Sequence, residues 1–284
     1  EDEIRMLDKE REHKSKLPGV KLPDTMKFTT DLKKAVEGKD FLVLAVPSAF
    51  TRGTARKMKP FVGERQIIVD VAKGIEEDTL MTLSQQIEEE IPQADVAVLS
   101  GPSHAEEVSI AIPTVLVMAS KDKEVRELVQ DAFMCPHMRV YTSEDVKGVE
   151  LGGALKNIIA FCAGVAAGVG FGDNTFAALI TRGLGEISRL GVALGGQKDT
   201  FFGLSGLGDL IVTCLSEHSR NRRAGKLIGQ GKTLEEAKKE VGMVIESIDN
   251  IDVAYALSKK YNIEVPIINT AYDVIYNKLD AKEA

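Results

Sequence analysis

Cysteine, net positive charge and long apolar runs are all scarce in this sequence of 284 residues. The three cysteines, Cys135, Cys162 and Cys214, are odd in number and lack the pairing of a metal site, so we expect a reducing compartment. The formal net charge of -7 argues against nucleic acid or an anionic membrane as a general partner. We identify no apolar run of transmembrane length, and the charged segment 1–16 does not resemble a signal peptide. A cytoplasmic protein without stable membrane insertion is therefore predicted.

The chain divides into two halves of different character. Its length exceeds that of the usual single domain, which predicts two domains that each bury a core. Strand and helix patterns alternate up to about Val146, and only helix patterns follow. We therefore predict domains at 1–145 and 146–284, packed closely because no low-complexity linker separates them.

Short apolar runs in the first half predict the strands of one sheet. Continuous apolar strands separated by helices are typical of a parallel sheet covered on both faces, which is the doubly wound, Rossmann-type α/β class. An all-α domain is expected to follow it. The predicted strands are 41–46, 66–71, 94–99, 113–119 and 138–141, and the predicted helices of this half are 31–38, 48–58, 79–90 and 123–133.

Polar residues follow the predicted strands, whose carboxyl ends would meet at one ligand-binding edge. Lys73, in DVAKG at 70–74, could reach a substrate there or could be a solvated loop lysine. Ser103, in SGPSHA at 100–105, could cap a helix whose free N–H groups face the crevice. His104 could act as an acid or base, but no carboxylate lies at a fixed spacing from it, and we expect a surface histidine.

A long helix of small residues is predicted at 148–172, and Lys156 is the only charged residue between 151 and 170. Lys156 could extend to water from a helix end, or it could be a proton donor whose pKa is lowered by partial burial. Asp209 follows three glycines in an apolar run, and a buried carboxylate needs a partner. Lys156 is the attractive partner, and capping of a following helix at 210–215 is the alternative role for Asp209.

The dense basic run of this acidic protein is SEHSRNRRAGK, at 216–226. Ser219 could cap a helix there, whose first turn would carry Arg220, Asn221 and Arg222. Cations at a helix start oppose the helix dipole unless an anion binds, and an arginine fork with free N–H groups suits a phosphate dianion. A solvated charged face is the alternative.

Two glycine clusters, at 168–172 and 203–208, lie in the second half of the chain. Neither follows a strand, so neither is a G-x-G-x-x-G dinucleotide fingerprint. The remaining predicted helices are 175–194, 234–241, 249–260 and 267–276.

Several of these segments together resemble one known family. From the first predicted strand to about Glu246, the chain resembles NAD(P)-dependent glycerol-3-phosphate dehydrogenase of the bacterial type. The motifs that carry the resemblance, in order, are AVPS (45–48), VAKGIE (71–76), GPSHAEEV (101–108), ALKN (154–157), GFGDN (170–174), TRGLGEISRLGVALGG (181–196), GLSGLGDLIVTC (203–214) and SRNRRAGKLIGQG (219–231).

The resemblance implies a reversible hydride transfer between NAD or NADP and dihydroxyacetone phosphate, which gives sn-glycerol 3-phosphate for phospholipid synthesis. It implies that Lys156 is the proton donor and acceptor at the carbonyl oxygen, that Lys73 lies beside substrate and nicotinamide, and that Asp209 supports the lysine. It implies no metal. The implied substrate-binding residues are Lys73, Gly101, Ser103, Lys156, Asp209, Ser219, Arg220 and Asn221. The implied cofactor-binding residues are Lys73, Ala105, Arg220, Val244 and Glu246.

One departure from the family concerns its first strand, glycine-rich loop, helix and second strand. The chain opens at a segment that resembles the connection after them, SKLPGVKLP at 15–23, so we expect about 30 residues to be absent. Cofactor binding depends on that part, and so does the choice between NAD and NADP. Two alternatives stay open: a non-catalytic module that binds phosphate esters, and a related β-hydroxyacid dehydrogenase, which gives no reason for the Arg220 cluster. A homodimer is also considered.

Overall fold

The computed structural model describes residues 2–284, in which a five-stranded sheet is followed by a set of packed helices. We call residues 41–143 the sheet region and residues 146–276 the helical region. The strands are β1 (Phe41–Leu44), β2 (Ile67–Asp70), β3 (Asp95–Ser100), β4 (Thr114–Ala119) and β5 (Met138–Ser143). The helices are α1 (Asp2–Glu10), α2 (Leu32–Val36), α3 (Thr51–Met58), α4 (Leu83–Glu90), α5 (Ala105–Val108), α6 (Lys123–Phe133), α7 (Val146–Val169), α8 (Asp173–Ala193), α9 (Lys198–Phe201), α10 (Asp209–Leu215), α11 (Arg220–Gly229), α12 (Leu234–Val241), α13 (Glu246–Tyr261) and α14 (Pro266–Tyr276).

The strands lie in chain order across the sheet, but they are not all parallel. β1 pairs with β2, β2 with β3, and β4 with β5 in parallel, whereas β3 and β4 are antiparallel. The expectation of a purely parallel sheet is therefore wrong at one pairing. The connection 101–113 carries only the four-residue helix α5, and a parallel crossover normally needs a longer helix to return the chain.

Helices cover both faces of the sheet, as predicted. Alternate residues of β2 face opposite sides. Ile68 packs with the cluster that contains Ala55 of α3 and Ile87 of α4. Val69 packs with the cluster that contains Val125 of α6. The sheet is therefore doubly wound. Loops lie at the edge where β1, β2 and β3 end, which we call the carboxyl edge of the sheet.

The helix predicted at 79–90 begins later than its apolar spacing suggested. Residues 77–79 form a turn, and Leu80 directly after it has a φ of 60°. Thr82 then caps α4, and a reciprocal capping box with Gln85 fixes the start of the helix. The polar capping residues, and not the spacing of the apolar residues, therefore determine where this helix begins.

Helix α7 forms the centre of the helical region. Asp145 caps it by accepting a hydrogen bond from the Gly148 N–H at 2.9 Å, and Gly170, with a φ of 100°, ends it. By length and composition α7 could cross a membrane, which differs from the expectation that no such run exists. However, 72% of its most apolar window is buried inside the protein. The helix is thus explained by its place in the core.

Four glycines allow α7 and α11 to pack with their backbones in close contact. Gly164 and Gly168 lie on α7, and Gly225 and Gly229 lie on α11. A Cβ atom at any of them would lie within 2.2 Å of a carbonyl oxygen of the other helix. These four glycines therefore bring the N-terminus of α11 towards the middle of α7.

We expect Gly225→Ala to destabilise the protein, because its methyl group would lie 2.0 Å from the carbonyl oxygen of Phe161. Overpacking of this kind costs about 1–3 kcal/mol or more. Gly53→Ala, on α3, is the matched control, since no atom lies within 4 Å of a Cβ there. It should be neutral or should raise the free energy of unfolding by up to about 1 kcal/mol. Urea unfolding measures both, and equal stability of the two variants would contradict the packing argument.

Candidate active site

A cavity of about 410 Å³ lies where the carboxyl edge of the sheet meets α7, α10 and α11. The loops after β2 and β3 supply one wall, and the helical region supplies the other. The sequence-predicted site residues that line the cavity are Lys73, Ser103, Ala105, Lys156, Ser219, Arg220, Asn221 and Glu246. Three others lie beside it rather than on its wall, namely Gly101, Asp209 and Val244.

The carboxylate of Asp209 joins two lysines from different parts of the chain. Lys156 Nζ donates to Asp209 Oδ1 at 2.9 Å, and Lys73 Nζ donates to Asp209 Oδ2 at 2.6 Å. The exposed side-chain fractions are 3% for Asp209, 6% for Lys156 and 19% for Lys73. Lys156 therefore does not extend to solvent, and Lys73 is not a solvated loop lysine.

Asp209 is the first residue of α10 and not its cap. One turn of π-helix at Leu204–Gly208 precedes it, and Gly208 occupies the capping position. Such turns occur often at functional sites, because they re-aim the next side chain. The carboxylate is thus turned towards the lysines, and the alternative role of helix cap is wrong.

Lys156 also donates to the hydroxyl of Thr213 at 2.6 Å, and that hydroxyl in turn donates to the carbonyl oxygen of Asp209 at 2.6 Å. Burial lowers the pKa of Lys156 from 10.5 to about 8. Asp209 opposes that shift and the charge of Lys73 adds to it. Burial alone would raise the pKa of Asp209, but Lys156 and Lys73 outweigh it and keep that pKa below its ordinary value. An ammonium group that can release its proton near neutral pH is therefore held beside a carboxylate that stays ionised.

The loop after β3 supports Lys73 from the sheet side. The carbonyl oxygen of Gly101 accepts hydrogen bonds from Lys73 Nζ at 3.2 Å and from the Ser103 hydroxyl at 3.1 Å. Gly101 has a φ of 128°, and a Cβ atom there would lie 3.2 Å from the side chain of Leu116. Glycine is therefore needed at this position for both conformation and space.

The start of α11 forms the opposite end of the cavity. Ser219 caps the helix, as predicted, by accepting a hydrogen bond from the Arg222 N–H at 3.2 Å. Arg220 Nη1 donates to the Val244 carbonyl oxygen at 3.0 Å. Asn221 Oδ1 accepts from the Ser247 N–H at 3.0 Å. Arg220 and Asn221 thus hold the start of α13 while they face the cavity.

His104 does not fit the expectation of a plain surface histidine. Its ring is half-buried, lines the cavity, and has an Nε2 atom that is buried without a hydrogen-bond partner. Burial lowers the pKa of His104, and the charge of Lys156 adds to that effect. The sequence carried no sign of this, because the neighbouring ring of His218 comes 114 positions later in the chain.

Two further residues at the site had a sequence signal that was missed. Thr213 lies four positions after Asp209, which places both on one face of α10. Asn157 follows Lys156 directly and donates through Nδ2 to Glu246 Oε2 at 3.0 Å. This contact accounts for the position of Glu246 on the cavity wall.

The cavity also offers residues that could hold the nicotinamide end of a dinucleotide. Val71, Leu99 and Leu116 give it an apolar surface beside Lys73, and they lie at or next to the carboxyl edge of the sheet. Ligands of doubly wound sheets bind at this edge. The neutral dihydronicotinamide ring of the reduced cofactor, next to a polar substrate, fits such a wall.

We compare the free energy of unfolding of the wild-type protein with that of its Lys156→Met variant. We expect the difference, wild type minus variant, to rise with pH between about 8 and 10.5. The folded-state pKa of Lys156 is lowered, so the unfolded chain binds the additional proton over this interval and the slope is positive. Its upper limit is about 1.4 kcal/mol per pH unit. Urea unfolding at several pH values measures this difference. A flat difference would mean that Lys156 titrates normally, and a difference that falls with pH would mean that folding raises its pKa.

Comparison with known proteins adds the family to this geometry. Family models described as the N-terminus and the C-terminus of NAD-dependent glycerol-3-phosphate dehydrogenase match residues 1–126 and 145–284. A glycerol-3-phosphate dehydrogenase (NAD(P)+) of Agathobacter rectalis is 59% identical over 284 residues, which are 100% of this chain and 84% of that protein. A protein of the same name from Fusobacterium nucleatum is 57% identical over 276 residues, which are 96% of this chain and 82% of that protein.

A solved structure shows the same fold. The crystal structure of glycerol-3-phosphate dehydrogenase from Coxiella burnetii matches with a TM-score of 0.95 at 35% sequence identity. The match covers 99% of this chain and 86% of that one. The chain belongs to the NAD-dependent glycerol-3-phosphate dehydrogenase family.

Proposed function

We propose that the protein is an oxidoreductase that interconverts dihydroxyacetone phosphate and sn-glycerol 3-phosphate with NAD or NADP, and that it supplies glycerophospholipid synthesis. The observation that carries the proposal is the buried ammonium group of Lys156 on the wall of a cavity that also contains the start of α11. Reduction of a phosphorylated ketone needs a proton at the carbonyl oxygen and a clamp for the phosphate. One cavity holds a candidate for each.

Lys156 is the proton donor in reduction and the proton acceptor in oxidation. A pKa of about 8 allows both forms near neutral pH, which general acid–base catalysis requires. Asp209 and Thr213 accept hydrogen bonds from its Nζ atom and so fix its direction. Lys73, held by Asp209 and Gly101, places a second positive charge beside the developing negative charge on the carbonyl oxygen.

The phosphate group binds at the start of α11. Ser219, Arg220 and Asn221 supply polar side chains and helix-terminal N–H groups, where the helix dipole favours an anion. Gly101 and Ser103 complete the substrate site from the sheet side. The phosphate end and the ketone end of the substrate are thus held by different elements.

The cofactor contacts in the proposal are Lys73, Ala105, Arg220, Val244 and Glu246. When bound, a nicotinamide supplies the hydride that reduces the carbonyl carbon. The protein orients the ketone towards that ring and delivers the proton from Lys156. Val244 is exposed and reaches the site through its carbonyl oxygen, which accepts from Arg220.

The proposal includes the division into a dinucleotide-binding domain at 1–145 and a substrate domain at 146–284. It also includes a cytoplasmic location, which the free cysteines support. A homodimer is part of it as well, because Phe171, Val192 and Tyr276 leave apolar surface exposed on the helical region.

We expect Lys156→Met to lower kcat for dihydroxyacetone phosphate by about 10²- to 10⁴-fold, because it removes the acid–base group. The oxidation of NADH and of NADPH, followed by absorbance, measures the rate. Lys57→Met, on the exposed face of α3, should keep the wild-type rate. Undiminished activity of Lys156→Met would remove Lys156 from the mechanism. An active wild-type enzyme is required, and binding of phosphate esters without turnover would instead favour a non-catalytic module.

We expect Arg220→Lys to raise KM for dihydroxyacetone phosphate by about tenfold and to change kcat less. Lysine keeps the charge but loses the planar fork that donates in two fixed directions, so it holds the Val244 carbonyl and a phosphate oxygen less well together. Arg56→Lys, at an exposed position of α3, is the matched control and should leave KM unchanged. Steady-state kinetics give both constants. An unchanged KM in Arg220→Lys would place the phosphate elsewhere.

A further inference from the structure

His104 has a ring nitrogen that the fold leaves buried and without a partner. The residue occupies the capping position of α5, yet its ring makes no capping hydrogen bond, and Nε2 has no hydrogen-bond partner. Buried polar atoms are almost always paired, so an unpaired one on the wall of a cavity indicates a group that arrives with the ligand. No hydrogen bond within this loop explains why the ring nitrogen is buried.

The position of the ring identifies which end of the cavity it faces. The ring centroid of His104 lies 6.2 Å from that of His218, and both residues line the cavity. His218 directly precedes Ser219, the cap of α11. His104 therefore faces, from the sheet region, the same helix start that Arg220 and Asn221 form from the helical region.

The charge of the cavity wall selects the kind of ligand group. The ring of His104 is kept neutral at neutral pH because burial and the charge of Lys156 lower its pKa. A neutral imidazole donates from one nitrogen only. Anionic oxygens are the strongest acceptors for such a donor at a wall with an excess of cations. The cationic lining residues are Lys16, Lys73, Lys156, Arg220 and Arg223, and the anionic ones are Glu106 and Glu246.

We propose that His104 is a substrate-binding residue whose Nε2–H donates a hydrogen bond to the phosphate group, and that it helps to select phosphorylated over non-phosphorylated substrates. The inference rests on the proposed function and extends it, because the family resemblance assigns the neighbours Ser103 and Ala105 but not His104. The phosphate is then held from both sides of the cavity. The neutral ring adds a directed hydrogen bond without adding charge.

Three variants test this inference. His104→Phe keeps a ring of similar size and removes the donor, whereas His104→Gln keeps an N–H near the position of Nε2. His137→Phe, at an exposed position before β5, is the matched control. Calorimetry with sn-glycerol 3-phosphate, inorganic phosphate and glycerol measures binding, and steady-state kinetics with dihydroxyacetone phosphate measure KM.

We expect His104→Phe to weaken the binding of sn-glycerol 3-phosphate and of inorganic phosphate by about 10- to 100-fold. Its KM should rise in parallel, while His104→Gln stays within about threefold of the wild type because it keeps the donor. Equal binding of phosphate by His104→Phe and the wild type would overturn the inference. So would an equal loss for the phosphorylated ligand and for glycerol.

A second measurement does not depend on how well the variants fold. In the wild-type protein, inorganic phosphate should shift the ¹⁵N resonance of His104 Nε2, and glycerol should not. An unmoved resonance at saturating phosphate would overturn the inference. The proposed function has its own criterion: a wild-type enzyme that does not oxidise NADH or NADPH with dihydroxyacetone phosphate contradicts that function, whereas the calorimetric and spectroscopic results still decide the role of His104.

Discussion

One buried carboxylate shared by two ammonium groups holds the site together. Asp209 binds Lys156 through one oxygen and Lys73 through the other, and these residues come from α10, α7 and the loop after β2. Buried ions are tolerated only when partners replace the lost water, and Thr213 and the Gly101 carbonyl complete that replacement. The same contacts attach the helical region to the edge of the sheet. The chemistry of the proposed site and part of the attachment between the two regions therefore depend on one set of hydrogen bonds.

Backbone packing decides where the start of α11 lies relative to this carboxylate. Glycine inside a helix costs about 1 kcal/mol relative to alanine, so four of them at one crossing need a compensating gain. The gain is close approach: α7 and α11 touch through backbone atoms, which no side chain would permit. This contact sets the distance from Lys156 to the start of α11. These four glycines act through packing, which the sequence pattern alone does not show.

The sequence predicts most of the helices and strands and the residues of the proposed site. It does not show which residues pack around them. The strand at 67–70 and the helix that begins after Asp122 follow from local patterns, and the structure has both. The antiparallel pairing of β3 and β4 depends on how a short loop returns, which no local pattern encodes. The burial of Lys73 and His104 is not visible in the sequence, because their neighbours Asp209 and His218 lie more than 100 positions away in α10 and the turn before α11. Burial by distant residues is the part that a single sequence hides.

The charge balance of the site explains why Lys156 is poised to lose a proton. Two ammonium groups and one carboxylate leave an excess positive charge in a place with little water. Release of one proton leaves a neutral pair of Lys73 and Asp209, so burial favours the release and the pKa of Lys156 falls to about 8. The excess charge also attracts an anion locally in a protein whose net charge is -7. In the proposed function, attraction of a phosphorylated substrate and readiness to protonate its carbonyl oxygen thus have one electrostatic cause, which is the use of a single carboxylate for two lysines.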